Sequence, residues 1–236
     1  MNEPVILIPG LMSDARLFMH QITHLSLGRP VMVALPMPGT TVEEMSQAVL
    51  NAAPAKFALV GLGLGGDVAL DVVRRGMDRV TRIALMSTDP LAETPQSAAA
   101  REARMVAARS GRLVHAMAEE IPASALADTP RRAAVQKLIT EMAINLGEGV
   151  FFAQSRALQR RPDQQKTMRR AMIPALIIAG AYDTVVPMRR QEFVAGLMPF
   201  AKLHVIENAG HLPPLEQPEA VTEALEAFLN GPLLLR

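Results

Sequence analysis

Six short, continuous aliphatic segments constrain the fold of this 236-residue chain more than any other feature. Each is rich in Val, Ile, Leu or Ala and lacks the alternation of apolar and polar residues that marks a half-exposed strand. Continuous apolar segments of this kind are typical of strands that are buried on both faces of a parallel sheet. The six segments are residues 5–8, 31–35, 57–60, 83–86, 175–179 and 203–206.

The segments between the early strands are long enough for crossover helices. Val68, Val72 and Val73 lie on one stripe of a helix that Gly76 ends. Alternating strands and helices predict an α/β domain: a mainly parallel sheet of about six strands, flanked by helices. Since 50% of the residues are apolar, residues 1–236 are predicted to form a single domain around one core.

The strand pattern stops between residues 90 and 172. Thr94-Pro95 and Thr129-Pro130 are each typical of a helix start, with a capping side chain followed by a first-turn proline. We therefore expect a helical cap insertion over residues 90–172, between core segments 1–89 and 173–236. The predicted sheet continues after it.

The charge balance excludes some classes of partner. A formal net charge of +1 gives no field that would favour nucleic acid or an anionic membrane. Residues 90–174 carry thirteen Lys or Arg against eight Asp or Glu, so the expected insertion is basic and the rest is slightly acidic. Solvated helix faces explain this split best. A basic lid that attracts carboxylated substrates is the alternative.

Further expectations follow from what the sequence lacks. The chain has no cysteine, which excludes disulfides and thiolate catalysis. The first apolar segment stops at Pro9-Gly10, which is too short for a signal peptide or a membrane span. We expect a cytoplasmic monomer or homodimer whose partner is a small-molecule substrate or ligand, with no cofactor and no metal. His20 and His24 have metal-like spacing, but no third ligand is evident, so a helix-surface pair is expected.

A glycine-lined turn follows the third predicted strand and admits two interpretations. Gly61, Gly63 and Gly66 spell the G-x-G-x-x-G dinucleotide fingerprint between a strand and a helix, and Asp89 follows the next strand, near the place of a ribose-binding carboxylate. A dinucleotide-binding domain should continue with more alternating strands, whereas this chain continues with predicted helices. The dinucleotide interpretation is therefore the weaker one.

The second interpretation is a nucleophile elbow without its nucleophile. In the motif G-x-S-x-G, a strained turn between strand and helix exposes a catalytic serine, and Gly63 occupies the serine position. Asp183 and His211 follow in the chain order of the second and third members of a serine triad. The sequence thus keeps a predicted base and its orienting acid.

The whole chain resembles the α/β-hydrolase fold superfamily, and in particular its compact bacterial members. Residues 5–18 are similar to the first strand and oxyanion loop, residues 61–70 to the elbow and its helix, and residues 154–163 to the end of the cap. Residues 174–187 and 209–219 are similar to the acid strand and the histidine loop. Gly63 departs from the pattern because it replaces serine, and Asp67 stands where related elbows often have tyrosine.

The resemblance implies roles for individual residues. His211 would be the base, Asp183 would orient it, and the backbone N–H groups of Leu11 and Leu64 would form the oxyanion hole. A water above Gly63 would replace the serine hydroxyl. Asp89 is an alternative orienting acid. Further candidates for the substrate pocket are Met12, Ser13, Ser87 and Asp89, of which the two serines could also act as substitute nucleophiles.

The predicted function is hydrolase-like action on a small, apolar ester, lactone or related carbonyl compound in a pocket between cap and sheet. Activity is expected to be weak because Gly63 cannot form an acyl-enzyme. A catalytically silent relative that only binds a small ligand is the alternative from another class.

Overall fold

The structure is a computed structural model that describes residues 3–37 and 39–233. Its centre is a parallel sheet in the strand order β2-β1-β3-β4-β5-β6. This confirms the predicted α/β architecture with six strands. The strands are β1 (Val5–Ile8), β2 (Val31–Val33), β3 (Phe57–Leu62), β4 (Val80–Met86), β5 (Ala175–Gly180) and β6 (Ala201–Ile206).

The inner strands are buried because their side chains are apolar on both faces. Every residue of β1, β3 and β5 is buried, whereas the edge strand β6 alternates between partly buried and exposed positions. Helices cover both faces, so a continuous apolar strand has no solvent-facing side. The helices outside residues 90–172 are α1 (Met19–Leu25), α2 (Val42–Ala52), α3 (Leu64–Gly76), α8 (Met188–Leu197), α9 (Pro213–Glu216) and α10 (Pro218–Asn230).

Helices replace strands between β4 and β5, as the sequence predicts. They are α4 (Pro95–Ala107), α5 (Leu113–Glu120), α6 (Arg132–Gln159) and α7 (Gln165–Arg170). Thr94 caps α4 by accepting a hydrogen bond from the N–H of Ser97 at 3.2 Å. The expected start at Thr129-Pro130 is wrong by two residues, because α6 begins at Arg132. We call residues 90–172 the helical insertion.

The order of the strands creates a crevice at one edge of the sheet. The chain passes from β1 outward to β2 and then returns to β3 on the other side of β1. The loops that follow β1 and β3 therefore diverge, and such a switch point at the carboxyl ends of parallel strands is where α/β proteins bind ligands. Gly10 and Gly63 lie at these two strand ends. Within the described residues, no helix is long and apolar enough to cross a membrane.

Candidate active site

Gly63 lies at the sharp turn between β3 and α3. Its backbone has φ 53° and ψ −119°, and its N–H donates to the carbonyl oxygen of Met86 at 3.0 Å. This left-handed conformation strains any residue with a Cβ by about 1–3 kcal/mol, whereas glycine adopts it freely. A Cβ at Gly63 would meet only the carbonyl oxygen of Ser87, at 3.9 Å. The turn therefore has the strain of an elbow and room for a serine side chain.

The neighbouring glycines are required by packing within the protein. A Cβ at Gly61 would clash with the backbone of Gly65, and one at Gly66 would clash with the side chain of Thr88. Gly61 and Gly66 thus let α3 pack closely against the ends of the strands. Packing within the protein therefore explains these glycines without a dinucleotide, and Asp89 Oδ2 faces Arg190 Nε at 3.6 Å.

His211 and Asp183 lie together at the carboxyl end of the sheet. Nδ1 of His211 is 3.1 Å and 3.0 Å from the two carboxylate oxygens of Asp183. Asp183 Oδ1 also accepts hydrogen bonds from the N–H groups of Val185 and Val186, each at 2.9 Å. These contacts fix the carboxylate and the ring. Asp89, the alternative orienting acid, makes no such contact with His211.

The two side chains perturb each other's protonation. Burial alone lowers the pKa of His211, but the charge and hydrogen bond of Asp183 outweigh it, so the His211 pKa lies above its usual range. Burial alone raises the pKa of Asp183, but His211 and the amide of Val186 hold it below its usual range. The pair is therefore arranged to stabilise a protonated imidazole beside an ionised carboxylate.

Two backbone amides lie where oxyanion donors are expected. Leu11 follows β1 and Leu64 begins α3, and both line the same cavity as Gly63 and His211. A first-turn helical N–H has no partner within its own helix. Among the described residues, neither N–H donates to a protein acceptor. Both amides are therefore available to a ligand, and α3 directs its N-terminal dipole toward the cavity.

The four pocket candidates have different positions. Ser13, Ser87 and Asp89 line the cavity, but Met12 does not. Met12 is instead fully buried in the hydrophobic core, with φ 52°. The Ser13 hydroxyl donates to the carbonyl of Leu11 at 3.3 Å. The Ser87 hydroxyl is buried and faces Asp183, whose pKa it helps to lower, and within the described residues neither serine forms a hydrogen bond with the His211 ring.

The cavity lies between the sheet edge and the helical insertion and has a volume of about 200 Å³. Gly63, His211, Leu11 and Leu64 line it. The cavity is more polar than the expected apolar pocket, because four carboxylates and two guanidinium groups also line it. These charged residues are Asp67, Asp89, Glu93, Arg101, Glu120 and Arg161.

Glu216 positions the histidine loop, and sequence reasoning assigned it no role. Its buried carboxylate accepts hydrogen bonds from the N–H groups of Ala127 at 2.7 Å, Gly210 at 2.9 Å and Leu212 at 2.9 Å. Burial raises the pKa of Glu216 although these amides oppose the shift. Glu216 therefore ties the residues on either side of His211 to the helical insertion. The only signal for Glu216 in the sequence is its place two residues before Pro218, which starts a helix.

Gln154 positions the loop that carries Leu11. It is fully buried in α6, its Oε1 accepts from the N–H of Met12 at 2.8 Å, and its Nε2 donates to the carbonyl of Pro36 at 3.0 Å. The helical insertion thus directly holds the loop after β1, which carries Leu11 and Met12. No sequence signal locates these partners, because they are backbone groups more than a hundred residues away.

The two histidines of α1 lie far from this cavity. Their rings stack with centroids 4.1 Å apart, and Nδ1 of His20 is 2.8 Å from the hydroxyl of Thr222. Within residues 3–37 and 39–233, no group of three or more His, Asp or Glu side chains is arranged to hold a metal ion.

Comparisons with known proteins identify the family and agree with the fold. Residues 5–224 match the model of the alpha/beta hydrolase family. The chain is 29% identical over 210 residues to a pimeloyl-[acyl-carrier protein] methyl ester esterase of Aromatoleum aromaticum, which covers 83% of each protein.

Solved structures share the fold over nearly the whole chain. A thermophilic esterase from Thermogutta terrifontis superposes with a TM-score of 0.87 at 26% identity, covering 97% of this chain and 90% of the esterase. The enol-lactonase from Burkholderia xenovorans superposes with a TM-score of 0.86 at 21% identity, covering 98% of this chain and 92% of the lactonase.

Proposed function

Since the chain belongs to the alpha/beta hydrolase family, we propose that it hydrolyses a small ester, lactone or related carbonyl compound. The observation that carries the proposal is the contact of His211 Nδ1 with Asp183 at 3.0 Å, in a cavity that also holds Gly63 and two free amides. Relatives named as an esterase and an enol-lactonase support carbonyl hydrolysis as the reaction class.

Gly63 requires a reaction without an acyl-enzyme. Water above Gly63 gives a proton to Nε2 of His211, and the resulting hydroxide oxygen forms a bond to the substrate carbonyl carbon. The N–H groups of Leu11 and Leu64 stabilise the negative carbonyl oxygen. The intermediate then collapses, the bond to the leaving alcohol breaks, and His211 returns its proton to that oxygen. Asp183 stabilises the imidazolium between the two steps.

The expected rate is low. Removal of the serine from the triad of subtilisin lowers turnover by roughly a millionfold, yet leaves about a thousandfold acceleration over water. The free amides and the oriented histidine are the groups that would provide this remaining activity.

A ligand-binding protein without catalysis is the second candidate, and Gly63 itself favours it. A cavity of about 200 Å³ with free backbone donors binds a small carbonyl compound whether or not it reacts. The strain-free glycine stabilises the turn in either case.

The two candidates are distinguished by His211→Ala. We expect the wild-type protein to hydrolyse p-nitrophenyl butyrate or a small lactone slowly, and His211→Ala to remove that activity. His115→Ala is the matched control, because the side chain of His115 is 58% exposed in α5 and should leave the rate unchanged. If wild-type and His211→Ala proteins hydrolyse both compounds at the buffer rate, the hydrolase proposal is wrong and the ligand-binding candidate stands.

A further inference from the structure

Asp67 is a buried carboxylate that faces the cavity without a partner. It lies one helical turn after Gly63, and its N–H donates to the Gly63 carbonyl at 3.1 Å. Asp67 is 4% exposed and lines the cavity. Within the described part of the chain, its carboxylate accepts no hydrogen bond and forms no ion pair. An ionised group in this state is unusual, because buried charges are normally paired.

The two arginines that line the cavity are already engaged. Nη1 of Arg101 is 2.7 Å from Oε1 of Glu120, and its Nε is 3.3 Å from Oε2 of Glu93. Nη1 of Arg161 is 3.5 Å from Glu93, and its Nε donates to the Leu91 carbonyl at 2.7 Å. Their charge is therefore balanced by neighbouring carboxylates.

Asp89 is also engaged. Its Oδ1 accepts from the N–H of Leu91 at 3.2 Å, and its Oδ2 is 3.6 Å from Arg190 Nε. Of the four carboxylates in the cavity wall, Asp67 is thus the one without a hydrogen bond or ion pair among the described residues. Oε2 of Glu120 also lies 2.6 Å from Nε of Arg104, so the other three carboxylates of the wall are each paired with an arginine.

The environment of Asp67 disfavours its charge. Burial raises its pKa to about 7, and the nearby charges of Asp89 and Glu93 act in the same direction, while Arg161 and Arg101 act against them. The buried, unpaired carboxylate of Asp67 lowers the stability of the folded protein. Because it also lines the cavity of a candidate active site, it indicates a function in ligand binding.

We propose that Asp67 determines specificity by pairing with an ammonium group on the far end of the substrate. The inference rests on the proposed function and narrows it to esters or lactones that carry a primary amine. The ammonium supplies the positive charge and the hydrogen-bond donors that Asp67 lacks. A basic lid that attracts carboxylated substrates is not supported, since the insertion's cavity-lining Arg101 and Arg161 are already paired.

Calorimetric titration tests the pairing without requiring turnover. The probes are three primary amides of equal chain length that end in an ammonium, a methyl or a carboxylate group; the amide carbonyl replaces the ester. Titration at about pH 8 keeps Asp67 ionised and the amine protonated. We expect the ammonium amide to bind about ten- to a hundredfold more tightly than the methyl amide. A hydrogen bond between charged groups accounts for a ratio of this size in the two dissociation constants.

Asp67→Asn should reduce this preference to about threefold or less, because the amide keeps the shape and loses the charge. Asp128→Asn is the control for the loss of one charge, since the Asp128 side chain is 91% exposed, and it should keep the wild-type preference. The proposal is wrong if the ammonium amide binds no more tightly than the methyl amide, if the carboxylate binds best, or if Asp67→Asn keeps the preference. These outcomes are independent of the hydrolysis assay.

Discussion

At the scale of single residues, Gly63 and Asp67 have opposite effects on stability. Gly63 relieves strain that a serine would impose at φ 53°. Asp67 lowers the stability of the folded protein, because its unpaired carboxylate is buried one helical turn after Gly63. The candidate site therefore has an unstrained glycine at its sharp turn and an unfavourable charge in the cavity wall.

The effect of Asp67 on the free energy of unfolding depends on pH. Because its folded-state pKa is raised from 3.8 to about 7, the folded protein holds a proton that the unfolded chain releases. The contribution of that proton to the free energy of unfolding is fully present below about pH 4, and it is lost as the pH rises through about 7.

We therefore expect Asp67→Asn to unfold with a higher free energy than the wild-type protein at about pH 8, by up to about 4 kcal/mol. The difference should shrink steadily as the pH falls to about 4. Urea unfolding across this range measures it, with Asp128→Asn as the control. A difference that does not change with pH would show that the Asp67 carboxyl is not buried as described.

At the scale of elements, helix α6 (Arg132–Gln159) connects the helical insertion to the oxyanion loop. Gln154 bonds the backbone at Met12 and at Pro36, two loops that follow β1 and β2. A kink at Gly147, with φ 81°, bends this helix. The position of Leu11 thus depends on a helix that is distant in sequence.

Gln154→Ala should impair the oxyanion loop more than the rest of the fold. In a Gly63→Ser background, we expect kcat to fall about ten- to a hundredfold, because small displacements of catalytic donors have effects of this size. Gln159→Ala is the matched control, since Gln159 lies on the same helix. Among the described residues, its side chain bonds only within the helical insertion, to Ala98, Glu102 and Arg156. Equal losses of kcat in both variants would contradict the role of Gln154.

At the scale of the whole molecule, the sheet brings together residues that are far apart in the chain. β1, β3, β4 and β5 are adjacent, so their carboxyl ends place Leu11, Gly63, Ser87 and Asp183 along one edge. The segment after β6 adds His211. The helical insertion closes the other side with paired charges.

Much of this arrangement could be predicted from the sequence. Continuous apolar segments located all six strands, and the turn at Gly63 located the elbow, since both are local patterns. The roles of Gln154 and Glu216 could not be predicted, because each depends on backbone amides or carbonyls that only the folded chain brings near.

We propose that the base, the acid and the oxyanion donors of a serine hydrolase surround Gly63, and that only the nucleophile is missing. Gly63→Ser tests it most directly, by kcat/KM for p-nitrophenyl butyrate and by covalent labelling at position 63 with a fluorophosphonate, followed by mass spectrometry. The control is Gly149→Ser, at an exposed glycine whose added Cβ would meet nothing within 4 Å.

We expect Gly63→Ser to remain folded, although strain lowers its stability by about 1–3 kcal/mol. Its kcat/KM should rise at least about a thousandfold over the wild-type value, and position 63 should be labelled. A folded Gly63→Ser protein with wild-type activity and no label would contradict the claim that base, acid and oxyanion donors are already in place.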